Sequence, residues 1–189
     1  MVEFIPHPIP HNTGWIEVIS GCMFSGKTEE LIKRLRRATF AKLRIKVFKP
    51  IIDNRYSLTK IVSHNEQSFP SILIEKSDDI LSQVANTEIV GIDEAQFFDQ
   101  NIVNVVLELA RLGKRVIIAG LDMDFKGTPF GPMPTLLAIA EYVTKSKAIC
   151  VVCGSPATMT QRISESKEQV EVGTTDKYEA RCRKHHYIP

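Results

Sequence analysis

WIEVISGCMFSGKTEELIKRLRRATFA, residues 15 to 41, is the stretch on which the fold turns. Trp15 to Ser20 is a short β-favouring run, and Leu31, Ile32 and Leu35 then recur at helical spacing over residues 28 to about 41. Between the two, Gly21, Cys22, Met23, Phe24, Ser25, Gly26, Lys27 and Thr28 match G-x-x-x-x-G-K-[ST] with nothing missing. The glycines let the backbone curl so that successive N–H groups converge on phosphate oxygens. The helix behind them adds the positive end of its dipole. Lys27 can bridge the β- and γ-phosphates of a nucleotide, and the Thr28 hydroxyl can ligate Mg²⁺. Lys33, Arg34, Arg36 and Arg37 fill much of the remaining helix surface, the pattern of a solvated face.

Outward from this unit, strand-like and helix-like runs alternate to about residue 142, the pattern of an α/β fold with a parallel sheet covered by helices. Ile45 to Phe48 is a second strand. Residues 51 to 69 are polar and aperiodic and read as a loop or hairpin excursion. Ser77 can cap a helix whose first turn holds Asp78 and Asp79. Ile89 to Ile92 is a brief buried strand, and Asp99 can cap a helix with Val103, Val106, Leu107 and Ala110 inward and Gly113 as its stop. Arg115 to Ala119 is a further strand, and residues 134 to 143 read as a last helix. After Lys145 the remaining 44 residues carry three of the four cysteines and little helical periodicity. The expected organisation is an extended leader over 1–14, an ATP-binding α/β domain over 15–145 and a small metal-binding subdomain over 146–189.

Composition narrows the function class. At 189 residues the chain has room for one full domain with an appendage. Apolar residues at 43% and charged residues at 24% are those of a globular protein, not a disordered one. A net charge of +2, from 24 basic against 22 acidic residues, is too balanced for the broad basic field of a dedicated nucleic-acid binder. No apolar run approaches the roughly 20 residues that span a bilayer. Pro6, Pro8 and Pro10 break the start where a secretory signal needs an apolar run, so a cytoplasmic location is expected. Clustered thiols there more often bind metal than form disulfides.

Two further patterns carry chemistry. Ile89, Val90, Gly91 and Ile92 lead into Asp93 and Glu94, an apolar strand ending in a carboxylate that can hold Mg²⁺ through water. Glu94 is placed to act as a base, whether on water, as in an ATPase, or on a substrate hydroxyl, as in a kinase. Cys150-x-x-Cys153 and Cys182-x-x-His185, 28 residues apart, form two ligand pairs at zinc-ribbon spacing. Three thiolates and an imidazole close a tetrahedral shell with no open position, which makes the metal structural. Spacing alone leaves His186 as a competitor for the fourth place. Cys22 reads as a small packing residue.

Together these residues resemble the thymidine kinases of the small, zinc-containing, tetrameric type. The resemblance runs from about Trp15 to His185. It is carried by GCMFSGKT, by KPIIDNRY at 49–56, by Ser63 and His64, by DEAQFF at 93–98, by GLDMDFKGTPFGP at 120–132 and by the ligand pairs around VEVGTTDKYEARC. It implies transfer of the ATP γ-phosphoryl group to the 5′-hydroxyl of thymidine or deoxyuridine, in deoxynucleoside salvage. By the same resemblance Glu94 is the general base. Asp53, Asn54 and Arg55 line the nucleotide site with Asp93, Ala95 and Gln96, Arg55 as a phosphate ligand. Phe125 packs on thymine, and a lasso loop between the ligand pairs closes over it. Gln169, Val170, Glu171, Val172, Gly173 and Tyr178 contact the nucleoside, with Thr160 near the thymine methyl. A homotetramer and feedback inhibition by thymidine triphosphate are implied with them. On the residues alone, Phe125 and Tyr178 read equally well as core packing.

Two rivals fare worse. A nucleic-acid-dependent ATPase fragment would need a second motor core or a broad basic channel, for which this length and charge leave no room. A noncatalytic zinc module would gain nothing from keeping Lys27, Thr28, Asp93 and Glu94 together.

Overall fold

The computed structural model describes residues 13–51, 60–62, 68–164 and 175–188. β1 (Trp15–Ser20), β2 (Ile45–Pro50), β5 (Ile72–Ile74), β6 (Ile89–Ile92), β7 (Arg115–Gly120) and β8 (Tyr142–Lys145) form one sheet in the order β5-β2-β6-β7-β1-β8. Every neighbouring pair is parallel. Parallel strands need crossovers, and α1 (Lys27–Phe40), α2 (Asp79–Ser82), α3 (Ile102–Arg111) and α4 (Met133–Ile139) supply them. Between β2 and β5 lies an antiparallel pair, β3 (Lys60–Val62) with β4 (Ser68–Pro70), the expected hairpin excursion.

Helices on both faces explain why β6 and the body of β7 are apolar on both sides rather than alternating. Period 2 sorts their side chains between two cores. Val18, Val90, Ile92, Val116 and Ile118 pack with Ile102, Val105, Val106 and Leu109 of α3 and with Met133 and Leu136 of α4. Ile19, Ile89, Ile117 and Ala119 face the other way, onto Leu31, Ile32, Leu35 and Ala38 of α1. Gly91 lets α1 sit close, because a Cβ there would lie 3.3 Å from Leu35 and 3.2 Å from Val47.

Four expectations are corrected. Residues 142–145 are a strand, not the end of a helix: Ala140 turns extended at ψ 134° and the β-favouring Tyr142, Val143 and Thr144 pair with β1. Ser77 does not cap its own helix, which is a single turn. Its hydroxyl donates to the Asp99 carboxylate at 2.7 Å, a charge-assisted bond to a distant segment. Asp99 accepts the Asn101 N–H at 2.9 Å and so caps the turn that leads into α3, but the regular helix begins only at Ile102, two residues beyond the start that a cap at Asp99 predicts. The Lys33–Arg37 stretch is not wholly solvated, since Arg34 is buried.

Arg34 turns inward because β1 presents it with a carboxylate. Glu17, fully buried, accepts from Arg34 at 2.8 Å, from Arg115 at 2.6 Å and from the Trp15 indole at 2.8 Å. Arg34 also reaches Glu30 at 2.9 Å and the Thr144 hydroxyl at 2.9 Å, so one network joins α1, β1, β7 and β8. Removing the central acid leaves Arg34, buried and with Glu30 as its remaining carboxylate, beside a partly exposed Arg115 that has lost its own. Glu17→Ala is predicted to lower the unfolding free energy by about 3–5 kcal/mol in a denaturant titration. A change within about 0.5 kcal/mol would mean the network is replaceable surface charge.

Candidate functional site

Ligands of open α/β sheets bind beyond the carboxyl ends of the strands, and here the C-terminal ends of β1, β6 and β7 converge. The 21–28 loop leaves β1 with Gly21 at φ 150°, Phe24 at φ 64° and Gly26 at φ 78° before α1 begins. A Cβ on Gly21 would collide with the Ser146 carbonyl, so glycine is needed there for space as well as for conformation. The Ser25 hydroxyl and the Lys27 ammonium both donate to the Cys22 carbonyl, at 2.8 and 2.7 Å. Burial lowers the Lys27 pKa from the ordinary lysine value, while Glu94, Cys22, Asp93 and Asp122 pull the other way. The Thr28 hydroxyl lies 3.3 and 3.5 Å from the two Asp93 carboxylate oxygens, so α1 and β6 bring together the two groups expected at Mg²⁺.

Glu94 follows β6 in the left-handed region, φ 52° and ψ 41°, ahead of a single 3₁₀ turn, Ala95–Phe97. For a residue that is not glycine this is strained backbone, of the kind that persists where the surroundings enforce it. Gln96 is part of that enforcement. Its amide nitrogen donates to Glu94 Oε2 at 2.5 Å, and its carbonyl oxygen accepts the Leu121 N–H at 2.9 Å. The Leu121 N–H can only donate, which fixes the amide orientation and points its NH₂ at the carboxylate. Ala95 is fully buried beneath the turn.

The loop after β7 carries the aromatic part of the site. Asp124 accepts the N–H groups of Lys126 at 2.8 Å and Thr128 at 3.0 Å, closing a tight turn around Phe125. Phe125 is buried with Met23, Leu121, Phe130 and Tyr178, and Phe24 and Phe97 pack against them. The Thr160 hydroxyl accepts the Met23 N–H at 3.0 Å, which places it beside the same cluster. The structure therefore gathers Met23, Phe125, Thr160 and Tyr178 from four distant segments. The expected site residues Asp53, Asn54, Arg55, Ser63, His64, Gln169, Val170, Glu171, Val172 and Gly173 lie outside the described residues.

Arg162 was not foreseen. It is 1% exposed, with its guanidinium 3.7 Å above the Phe125 ring and donating to the Tyr178 hydroxyl at 2.7 Å. Asp122, also buried, lies 2.8 Å from the Lys145 ammonium at the end of β8. Neither pairing has a local sequence signal, because each joins residues brought close only by the fold.

β9 (Ala148–Ile149), β10 (Pro156–Ala157), β11 (Met159–Arg162) and β12 (Tyr178–Arg181) form two small antiparallel pairs that present the cysteines. The ligand atoms of Cys150, Cys153, Cys182 and His185 all lie within 4.8 Å of one another. Zinc bonds of about 2.3 Å to sulfur and about 2.0 Å to nitrogen, at tetrahedral angles, imply S···S edges of about 3.8 Å and S···N edges of about 3.6 Å. Cys153 and Cys182 are 3.8 Å apart, and His185 Nδ1 is 3.3 Å from Cys182 and 3.8 Å from Cys150. The donor set fits a closed structural zinc site. Burial tends to raise the Cys150 thiol, but N–H groups of Cys182, Val152 and Cys153 and the His185 ring outweigh it and bring the pKa down to about 6, whereas burial and the neighbouring thiols push Cys182 up. His186 faces elsewhere, its Nε2 2.8 Å from the Phe125 carbonyl. Metal analysis is predicted to find about one zinc per chain, sharply reduced by His185→Ala and retained by His186→Ala. The reverse pattern would reassign the fourth ligand.

The family described as thymidine kinase matches residues 14–186. A thymidine kinase of Bdellovibrio bacteriovorus is 58% identical over 176 residues, which cover 93% of this chain and 86% of the relative. One of a Rhodothermus species is 54% identical over 173 residues, covering 92% and 81%. With a family model matched from residue 14 to 186 and two relatives more than half identical over most of their length, the chain belongs to the thymidine kinase family.

Proposed function

We propose that this chain transfers the γ-phosphoryl group of ATP to the 5′-hydroxyl of thymidine in deoxynucleoside salvage, with Glu94 as the general base. One observation carries the assignment of roles: the hydrogen-bonded chain from Glu94 through Gln96 to Leu121, with Asp93 and Thr28 on one side and the Phe125 cluster on the other. It links the Glu94 carboxylate through Gln96 to Leu121, whose side chain belongs to the buried aromatic cluster, while Asp93 beside it faces the Thr28 hydroxyl.

In this reading the N–H groups of loop 21–28 and Lys27 hold the donor phosphates, and Thr28 and Asp93 would hold Mg²⁺. The metal supplies charge neutralisation at the transferring group. Glu94 takes the proton of the 5′-hydroxyl as that oxygen bonds to the γ-phosphorus and the bond from phosphorus to the bridging β-γ oxygen breaks, releasing ADP. The aromatic cluster favours a planar base, since ring contact is strong where water is excluded. Thr160 supports a preference at the 5-position, with deoxyuridine as a second acceptor. Zinc held by Cys150, Cys153, Cys182 and His185 would brace the ribbon and has no part in the transfer.

Asp53, Asn54 and Arg55 belong to the donor side of this site, and residues 169–173 to the acceptor side, on the family resemblance. Inhibition by thymidine triphosphate and a homotetramer rest on the same ground. A cytoplasmic location is consistent with the described helices, none of which is long and apolar enough to cross a membrane.

Glu94→Gln removes proton acceptance while keeping the shape. It is predicted to lower kcat by roughly 10²- to 10⁴-fold with the thymidine dissociation constant nearly unchanged; a normal rate would refute the base assignment. Lys27→Ala is predicted to raise the KM for ATP and reduce kcat together, and an unaltered ATP dependence would remove the lysine from the donor site.

A further inference from the structure

We propose that His186 is a positioning residue for Phe125, holding the aromatic platform of the acceptor site from the metal-closed ribbon. The inference rests on the thymidine reading above for what Phe125 contacts, but its geometry is independent of it. His186 Nε2 is 2.8 Å from the Phe125 main-chain oxygen. A carbonyl only accepts, so the ring nitrogen facing it carries the proton and the imidazole is the donor.

The histidine is itself held in place. Its own N–H donates to the Cys182 carbonyl at 3.1 Å, beside the matching bond from His185 at 3.0 Å, so both histidines sit on one turn built around a metal-ligating cysteine. On its other flank the Tyr187 N–H donates to Gln161 Oε1 at 2.9 Å, which ties the segment to β11. A side chain anchored on both sides transmits position rather than following it. Its target lies at the tip of a loop closed by Asp124 and by main-chain bonds of Asp124 with Thr128 and of Phe130 with Asp122, so His186 adds a hold on the tip from outside that loop.

The same ribbon grips the ring of Phe125. Arg162 of β11 lays its guanidinium 3.7 Å over that ring while donating to Tyr178 at the start of β12. Phe125 is thus held by its main chain through His186 and by its ring face through Arg162. Both holds come from the ribbon, not from the sheet that carries Phe125. Misplacing a stacking surface weakens acceptor binding first, because the donor loop and Glu94 are fixed by other contacts. Loss of one neutral hydrogen bond at such a hinge predicts an effect of roughly 5- to 10-fold on acceptor affinity.

The test uses the zinc-loaded enzyme and three readouts. His186→Ala is expected to raise the KM for thymidine about 5- to 10-fold, with much smaller changes in kcat and in the KM for ATP, and with zinc content kept. His186→Gln, whose amide NH₂ can reach the same carbonyl, is expected to restore most of the loss. Hydrogen exchange of the unliganded protein should quicken at residues 124–128 of the alanine variant, with the Leu121 N–H that sets Gln96 unaffected, and return toward normal in the glutamine one. Unchanged thymidine KM and unchanged exchange in the alanine variant would overturn the proposal. Loss of zinc with the alanine would overturn it too, by making His186 a ligand, and equal impairment by alanine and glutamine would reduce it to packing. If the unaltered enzyme fails to phosphorylate thymidine, the functional reading falls, while the exchange data still decide the role of His186.

Discussion

The structure depends most on the contact by which the 21–28 loop is tied to the ribbon. The Met23 N–H donates to the Thr160 hydroxyl at 3.0 Å, and the Cys22 thiol to the Ala157 carbonyl at 3.4 Å. Cys22 packs with Ala148, Cys150, Ala157 and Ala180, so a residue of the glycine loop is also part of the ribbon's small core. A larger side chain at position 22 would not fit among these alanines. That explains why a cysteine stands inside the loop, and burial duly raises its thiol pKa. The seam also feeds Met23 into the aromatic cluster, so the phosphate loop and the Phe125 loop share one set of contacts.

From that seam the rest follows by short steps. β1 delivers the loop, and the buried Glu17 network fixes the depth of β1 against α1, β7 and β8. β6, separated from β1 only by β7, delivers Asp93 within reach of Thr28. β7 delivers Leu121, whose N–H sets Gln96 and through it Glu94. The phosphate loop, the acids and the start of the aromatic loop are therefore delivered at three strand ends, while the ribbon holds Phe125 from the other side. Rigid elements are the more accurate scaffold for a reaction that depends on placement. The cost is local strain at Glu94, held by a bond on each side of Gln96.

What could be read from the sequence was what is encoded locally. The 21–28 motif, the strand 89–92 with its acids and the two ligand pairs each declare themselves within a few residues, because glycine conformation, apolar runs and thiol spacing are local properties. Helix and strand were confused at 142–145, where a partner strand decided between two compatible patterns. Arg34 looked like one more solvated cation because Glu17 lies seventeen residues away on another element. Arg162 and His186 carried no signal of their own roles, since their partners are Tyr178 and Phe125 and only the folded ribbon introduces them. The choice of His185 over His186 at the metal needed coordinates for the same reason.

The central claim is that the Glu94 carboxylate, linked to the phosphate loop on one side and to the aromatic cluster on the other, directs a phosphoryl group to a bound nucleoside hydroxyl and not to water. The most direct measurement follows the label from γ-labelled ATP in Mg²⁺ with thymidine, with other deoxynucleosides, with single-stranded DNA and with no acceptor added. The account predicts label in thymidine monophosphate and little free phosphate under any condition. Free phosphate stimulated by DNA, with no labelled nucleotide, would contradict it and make the protein an ATPase.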